Sequence, residues 1–398
     1  MRRLAFIAGL GAAAAAAPAI AQVGPRQTGP TPLPYSPGLT QPARQLTIGV
    51  NVPLSGPLAQ YGLQVVQGVR AAIDENNLLT TISQIVFGVR QLDDQNSSPI
   101  SEGNVSIAAA DSTIIGIVGN LTGNVTIDTL TTYANDGFAV VVPSVTAPAL
   151  TQRGFRNVFR LPTRDDVAGR LFASTIFRKQ PSSLALAVTF DGSYGPDVAR
   201  GFVQQVRADR RNVDLVTLPS SAFDPAAAAR AIAARNADYL FLCGKLSELG
   251  PLVPALALAG YNGLYGLSDG FYDQETIAKY GPNLSNAVVY SSLPPLDRIP
   301  SIFEQLADLR REVSGITALV AYGYAAAQVI IAASTRTNAY TRYSLLTAMQ
   351  LSGSFNTLVG PFNFDANGDP VIPNLYFFKI SGTSFDFVEP AVRNGYVV

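Results

Sequence analysis

Gly266-Leu267-Ser268-Asp269-Gly270 has the spacing that, on a sharp strand-to-helix turn, presents a serine as a nucleophile. Such a serine needs a base, most often histidine, to take its proton. The 398-residue chain contains no His. A pairing of Ser268 with Lys245 is the arrangement left, and no motif supports it. Cys243 follows an apolar Leu-Phe-Leu run and reads as an inert buried thiol. As the one Cys it allows no internal disulfide. Asp93-Asp94 ends a strand-like run and reads as a solvated turn rather than a pair of catalytic carboxylates. Asp365-x-Asn367-Gly368-Asp369 has the rhythm of a calcium loop but lacks its length and closing Glu, so Asn367-Gly368 reads better as a hairpin turn. No Gly-rich phosphate loop of the nucleotide-binding types occurs. The expectation is a chain with no catalytic residues, no metal and no cofactor.

Composition points the same way. Hydrophobic residues make up 47% and charged residues 14%, enough apolar material for a large core. Lys and Arg number 28, as do Asp and Glu, so there is no basic surplus of the kind that neutralises nucleic-acid phosphates. The length predicts two or three domains.

Arg2 and Arg3, the Ala-rich apolar run from Leu4 to Pro18 and the small-residue pattern Ala19-Ile20-Ala21 predict a signal peptide over 1–21. A protein carrying it is exported, here through the general secretion route. No Cys near the cleavage point suggests a lipid anchor, and no later apolar run is long enough to predict a membrane span. Residues 22–45, dense in Pro and Gly, predict an extended linker.

The elements that must position any site follow. Leu46–Val52, Gln84–Leu92, Ile114–Gly119 and Phe138–Ser144 read as short apolar strands. Helical segments lie between them near 63–76, 101–111 and 124–136. The theme repeats with Leu184–Phe190, a helix near 195–207, the strand Val-Asp-Leu-Val-Thr-Leu-Pro, an Ala-rich helix near 225–236 and Asp238–Gly244. Strands separated by helices of this length predict parallel sheets covered on both faces, in two doubly wound lobes. Ligands of open α/β sheets sit at the carboxyl ends of the strands. Here those are the loops 53–61, 120–124, 143–148, 191–195, 244–248 and 268–272, rich in Ser, Thr, Gly, Asn and Tyr. Hydroxyls and backbone N–H groups of this kind suit a small anion such as a carboxylate.

Four stretches in order resemble the type I periplasmic binding proteins of the branched-chain amino-acid (Leu/Ile/Val) ABC transporter family. They are IGVNVPLSGPLAQYGLQVVQGVRAAIDENN, VVPSVTAPALTQRGFRNVFRLPT, FDGSYGPDVARGF and GPFNFDANGDP. The resemblance spans about 46–387. It implies a periplasmic binding protein-like I fold: two α/β lobes with parallel sheets, joined by three hinge crossings near 163, 293 and 357. Lobe 1 is then 46–163 plus 294–356, and lobe 2 is 164–293 plus 357–398. It further implies a periplasmic solute-binding protein, a monomer, that captures an amino acid or related small carboxylate between the lobes. The cargo passes unaltered to an ABC permease in the inner membrane. Two other readings stand beside it: an extracytoplasmic ligand sensor of the same fold, and a serine hydrolase using Ser268.

The resemblance also assigns a site. Ser144, Val145 and Thr146 match a loop that holds the ligand carboxylate through hydroxyls and amides; the residues alone allow a Ser/Thr turn before Pro148. Thr122 and Gly123 match a second carboxylate contact, with Gly123 where a hydroxyl residue is usual; alone they read as a helix cap. Tyr61 and Tyr194 match aromatics that cover the ligand from the two lobes, against core or turn packing. Asp269 matches an acidic residue that pairs with the ligand's α-ammonium, against a simple turn aspartate. Lys245 stands where an uncharged contact is common. It could pair with Asp269 or with a second ligand carboxylate, which keeps acidic amino acids and amine-free acids open.

Overall fold

The computed structural model describes residues 44–79, 85–179, 184–192, 194–295, 317–393 and 396–397. The expected signal peptide lies outside these residues, as does the expected linker up to 43. Arg44 and Gln45, assigned to that linker, already belong to the first strand.

The first sheet is five-stranded and wholly parallel, in the order β2-β1-β3-β4-β5. Its strands are β1 (Arg44–Val52), β2 (Ile85–Asp93), β3 (Ile114–Gly119), β4 (Ala139–Val142) and β5 (Val158–Arg160). Strands β3, β4 and β5 are buried along their whole length, as a parallel sheet covered on both faces requires. One face packs α1 (Ala59–Leu79) together with α10 (Ala318–Thr337) and α11 (Arg342–Leu351). The other face packs α2 (Ser98–Ala110) and α3 (Gly123–Asn135).

The second sheet has seven strands in the order β14-β13-β10-β9-β8-β6-β7. They are β6 (Ala185–Phe190), β7 (Val213–Leu218), β8 (Tyr239–Cys243), β9 (Leu264–Leu267), β10 (Val288–Ser291), β13 (Tyr376–Ser381) and β14 (Ser384–Pro390). The first five are parallel, whereas β13 runs antiparallel to β10 and β14 antiparallel to β13. The expected parallel sheet thus carries an antiparallel edge of two strands. A short hairpin, Gly382 at φ +60° between them, joins β13 to β14, and only antiparallel strands can be joined so tightly. Helices α4 (Asp165–Lys179) and α5 (Pro196–Ala208) cover one face. Helices α6 (Pro225–Ala233), α7 (Leu246–Leu249), α8 (Leu252–Leu258) and α9 (Gln274–Tyr280) cover the other.

Both lobes use the same device to bring two helices close. A Cβ on Gly68 of α1 would lie 2.0 Å from the Val320 carbonyl oxygen, and one on Gly323 of α10 would lie 2.4 Å from that of Val65. In the second lobe a Cβ on Gly169 of α4 would lie 2.0 Å from the Val198 oxygen, and one on Gly201 of α5 would lie 2.1 Å from that of Asp166. Side chains would force these helices apart. Helix α10 is long and apolar enough to cross a membrane, yet most of it is buried in this core.

The chain leaves the first sheet after β5 and enters the second through α4. The hairpin of β11 (Phe355–Thr357) and β12 (Gly360–Phe362) packs Phe355, Leu358, Val359 and Phe362 into the first core. Leu358 N–H also donates to Gln328 of α10 (2.7 Å). Leu375 is the first residue back in the second core. The last change of core thus falls between 364 and 375 rather than at the expected 357, because the apolar hairpin stays with α10.

Candidate functional site

The carboxyl ends of β3 and β4 build one side of the site. Ser144 Oγ donates to the Leu121 carbonyl (2.7 Å), tying the loop after β4 to the loop after β3. Thr122 Oγ1 donates to Asn96 Oδ1 (2.6 Å) and its carbonyl accepts from Thr126 N–H (3.0 Å), so Thr122 caps α3. Helix α3 then leaves the N–H groups of Gly123, Asn124 and Val125 without intrahelical partners, a standing attraction for an anion. These loops rest on a buried polar layer. Asn120 donates to Asp94 (2.8 Å) and Ser101 (2.8 Å), Tyr133 donates to Asn120 (3.2 Å), and Asn51 reaches Tyr133 (2.7 Å) and Ser101 (3.0 Å).

The carboxyl ends of β6, β9 and β10 build the other side. Gly195, at φ +111°, precedes α5, and a Cβ there would lie 2.3 Å from the Cys243 carbonyl oxygen. Only glycine allows this approach, which sets Tyr194 beside the end of β8. The Tyr194 hydroxyl donates to Asp269. Asp269 opens the 3₁₀ turn Asp269–Phe271 after β9. Tyr290 of β10 turns its hydroxyl toward Asp269 and Tyr194.

Asp165 lies between the two sides. It is the first residue of α4, only 4% exposed, and its N–H donates to the Thr146 carbonyl (3.0 Å). Its carboxylate accepts from the Thr146 hydroxyl. Burial, reinforced by the charge of Asp269, pushes the Asp165 carboxyl up to about 7, while the Thr146 hydrogen bond opposes that rise. Burial also raises Asp269, opposed by the Tyr194 hydrogen bond. Burial and the charges of Asp269 and Asp165 raise Tyr194 well above the usual phenol range, which keeps its proton in place as a donor.

Below this pair runs a network at the crossing. The fully buried Arg160 donates from Nε to Asp369 Oδ1 (2.8 Å), from Nη1 to the carbonyls of Ala147 (2.7 Å) and Val145 (3.3 Å), and from Nη2 to Thr151 (2.6 Å). Arg164 bridges Asp369 (3.0 Å) and Asp166 (2.7 Å), and Arg170 also reaches Asp166 (2.9 Å). Burial would raise the Asp166 carboxyl, but Arg164 and Arg170 together hold it at about 2. The cations closest to the acidic pair are thus already engaged.

Residues 45–384 match the family described as periplasmic binding protein. The chain belongs to the periplasmic binding protein family. A Leu/Ile/Val-binding protein homolog 1 of Brucella melitensis is 25% identical over 335 residues, covering 83% of this chain and 89% of the relative. Among solved structures, the branched-chain amino acid transporter substrate binding protein of Streptococcus pneumoniae, in complex with isoleucine, has a TM-score of 0.72 at 20% identity. It covers 87% of this chain and 100% of that one. A solute binding protein of R. palustris, in complex with benzoate, has a TM-score of 0.69 at 19% identity and covers 88% and 99%. These likenesses agree with the two-lobed α/β fold read from the sequence. Members of the family are binding proteins.

For this periplasmic binding protein the expected site residues divide. Thr146, Tyr194 and Asp269 come together around Asp165. Ser144, Thr122 and Gly123 gather at the α3 terminus, where Ser144 and Thr122 give their hydroxyl protons to protein oxygens. Val145 is buried and lends its carbonyl to Arg160. Tyr61 stands on the first turn of α1, 42% exposed. Lys245 does not pair with Asp269. Its side chain is 54% exposed and its Nζ lies 3.8 Å from Glu248 Oε1, at the start of the short α7.

The hydrolase reading of Ser268 loses its footing. The side chain is fully buried, and its Oγ donates to the Gly244 carbonyl (3.0 Å) while accepting from Gly244 N–H (3.0 Å). That serine ties β8 to β9 and presents no nucleophile. Cys243 is buried as expected, and burial pushes its thiol up. Asp365 closes a turn by accepting from Asn367 N–H (2.8 Å) and Asp369 N–H (3.0 Å), and Phe364 bridges Pro370, which makes this segment a hairpin.

Asp165 and Tyr290 were missed by sequence reasoning. The signal for Asp165 was present in Arg164-Asp165-Asp166, two acidic residues opening a helix where the chain changes lobes. Tyr290 carried no such sign, because a tyrosine in a short apolar strand reads as core.

Proposed function

We propose that this protein is an exported solute-binding protein that captures a small molecule bearing both a carboxylate and an ammonium group, such as an amino acid, and hands it unaltered to an ABC permease. The observation that carries the reading is the placement of opposite chemistries at one junction. The α3 terminus offers N–H groups without intrahelical partners, and the buried Asp165 with the half-buried Asp269 offers carboxylates whose nearby cations among the described residues are already paired. An amine-free or doubly anionic ligand would meet the acidic pair with nothing to offset it. In this reading the α3 amides and the loop at Val145–Thr146 hold the carboxylate, Asp269 and Asp165 take the ammonium, and Tyr194 and Tyr61 cover the ligand. The leader at 1–21 directs export, and the protein works as a monomer.

A thermal-shift panel of amino acids, dicarboxylates and aromatic acids tests this. An amino acid is expected to raise the melting temperature in a concentration-dependent way, through binding to the folded state alone. The neighbour bound to benzoate sets the contrary outcome: a larger shift with an amine-free acid than with any amino acid would refute the reading.

A further inference from the structure

We propose that Arg160 is a positioning residue for the ligand carboxylate: it holds the carbonyls of Val145 and Ala147 from behind and so turns the Thr146 N–H to the side where the ligand binds. The inference rests on the reading that the loop at Val145–Thr146 holds that carboxylate.

A charge is out of place on β5. Val158 and Phe159 beside it are apolar core residues, and Arg160 itself is fully buried. Taking a guanidinium out of water is costly unless its donors are met. Four of its five N–H groups are engaged: Nε with Asp369 Oδ1 (2.8 Å), Nη2 with Thr151 Oγ1 (2.6 Å), and Nη1 with the carbonyls of Ala147 (2.7 Å) and Val145 (3.3 Å). Asp369 also accepts from Thr151 Oγ1 (2.9 Å) and Arg164 Nη1 (3.0 Å), so the planar fork is fixed from below. Its upper bonds go to residues 145–147, which belong to no helix or strand and need an outside anchor.

The anchor decides what the loop presents. A trans peptide carries its C=O and N–H on opposite sides. With the Val145 carbonyl drawn onto Arg160, the N–H of the same peptide, that of Thr146, points away from the guanidinium. That N–H meets no backbone carbonyl among the described residues. The Thr146 carbonyl is taken by Asp165 N–H (3.0 Å), and Ala147 precedes Pro148, which has no N–H to offer. All three loop carbonyls are thus occupied, and a ligand carboxylate meets a donor rather than lone pairs. If the 145–146 peptide turned over, it would offer a carbonyl to the carboxylate, so Arg160 acts on specificity as well as affinity. Its charge is shared with Asp369, and Asp369 is shared with Arg164, which leaves geometry as its contribution.

Two measurements on the full-length protein test this. Isotopic labelling of threonine amides reads Thr146 in the wild type, its resonance identified by its absence in Thr146→Ser. The standard amino acids are added in turn, and one that binds is expected to move the Thr146 amide proton downfield, as a hydrogen bond to a carboxylate does. Calorimetry then compares that amino acid with its carboxamide. Arg160→Lys keeps the charge without the fork, and it should lower the preference for acid over carboxamide by about tenfold or more while changing carboxamide affinity by less than about threefold. Arg160→Met combined with Asp369→Asn, which leaves neither charge buried alone, should do the same. A merely structural role would weaken acid and carboxamide together. A Thr146 amide that stays still while an amino acid binds overturns this proposal alone, even if neither variant folds. An unchanged preference in a folded variant overturns it too. If no amino acid binds the wild type, the amine-and-carboxylate reading falls, and this inference with it.

Discussion

The two lobes are built alike and equipped differently. Each packs a parallel sheet between helices, and each lets one pair of helices touch backbone to backbone through glycines, Gly68 with Gly323 and Gly169 with Gly201. At their carboxyl edges the likeness ends. The first lobe presents a helix terminus and hydroxyls, with no charged side chain of its own among the residues assigned there. The second presents Asp269 under two phenols, with Asp165 at the seam. One edge donates hydrogen bonds and the other accepts them. A fold can be shared while recognition is divided, because packing uses the strands and chemistry uses only their ends.

Breaking the accepting edge should cost most. Asp269→Ala removes the proposed partner for the ammonium, and the affinity for an amino acid should fall by at least about a hundredfold, read by calorimetry. A loss of only a few-fold would show that Asp165 alone carries the amine. Breaking the donating edge should cost less. Thr146→Val removes one hydroxyl that now serves Asp165, while the α3 amides remain, so a loss of about fivefold to tenfold is expected. An effect equal to that of Asp269→Ala would move the weight of recognition to the first lobe. The smallest effect belongs to Lys245→Ala. Its ion pair with Glu248 is exposed, so affinities should stay within about twofold for every ligand class. A selective loss of dicarboxylates would restore it to the site.

Much of this was legible in the sequence. Short β-rich runs broken by amphipathic segments gave the strand and helix order of both lobes, because parallel strands buried on both faces must be apolar throughout. Asp269 and Tyr194 were named through the resemblance at their loops, and the structure sets them in hydrogen-bond contact. What escaped depends on long-range neighbours. Asp165 and Asp269 are 104 positions apart, and nothing local in either says that burial will set them together. Lys245 does not reach Asp269, because it opens a four-residue helix and lies beside Glu248. The last crossing was misplaced because the hairpin at 355–362 precedes a turn whose resemblance said nothing of which core it joins. Arg160 and Asp369 form their buried bond across 209 positions, so no window of sequence holds both.

The central claim is that recognition needs both ends of the ligand. Calorimetric titration with L-leucine and with 4-methylpentanoate, the same skeleton without the amine, tests it most directly at about pH 8, above the value of about 7 to which burial pushes the Asp165 carboxyl. The account expects heat and saturation with leucine and at least about a hundredfold weaker binding of the amine-free acid. Equal affinity for the two, or preference for 4-methylpentanoate, would contradict it.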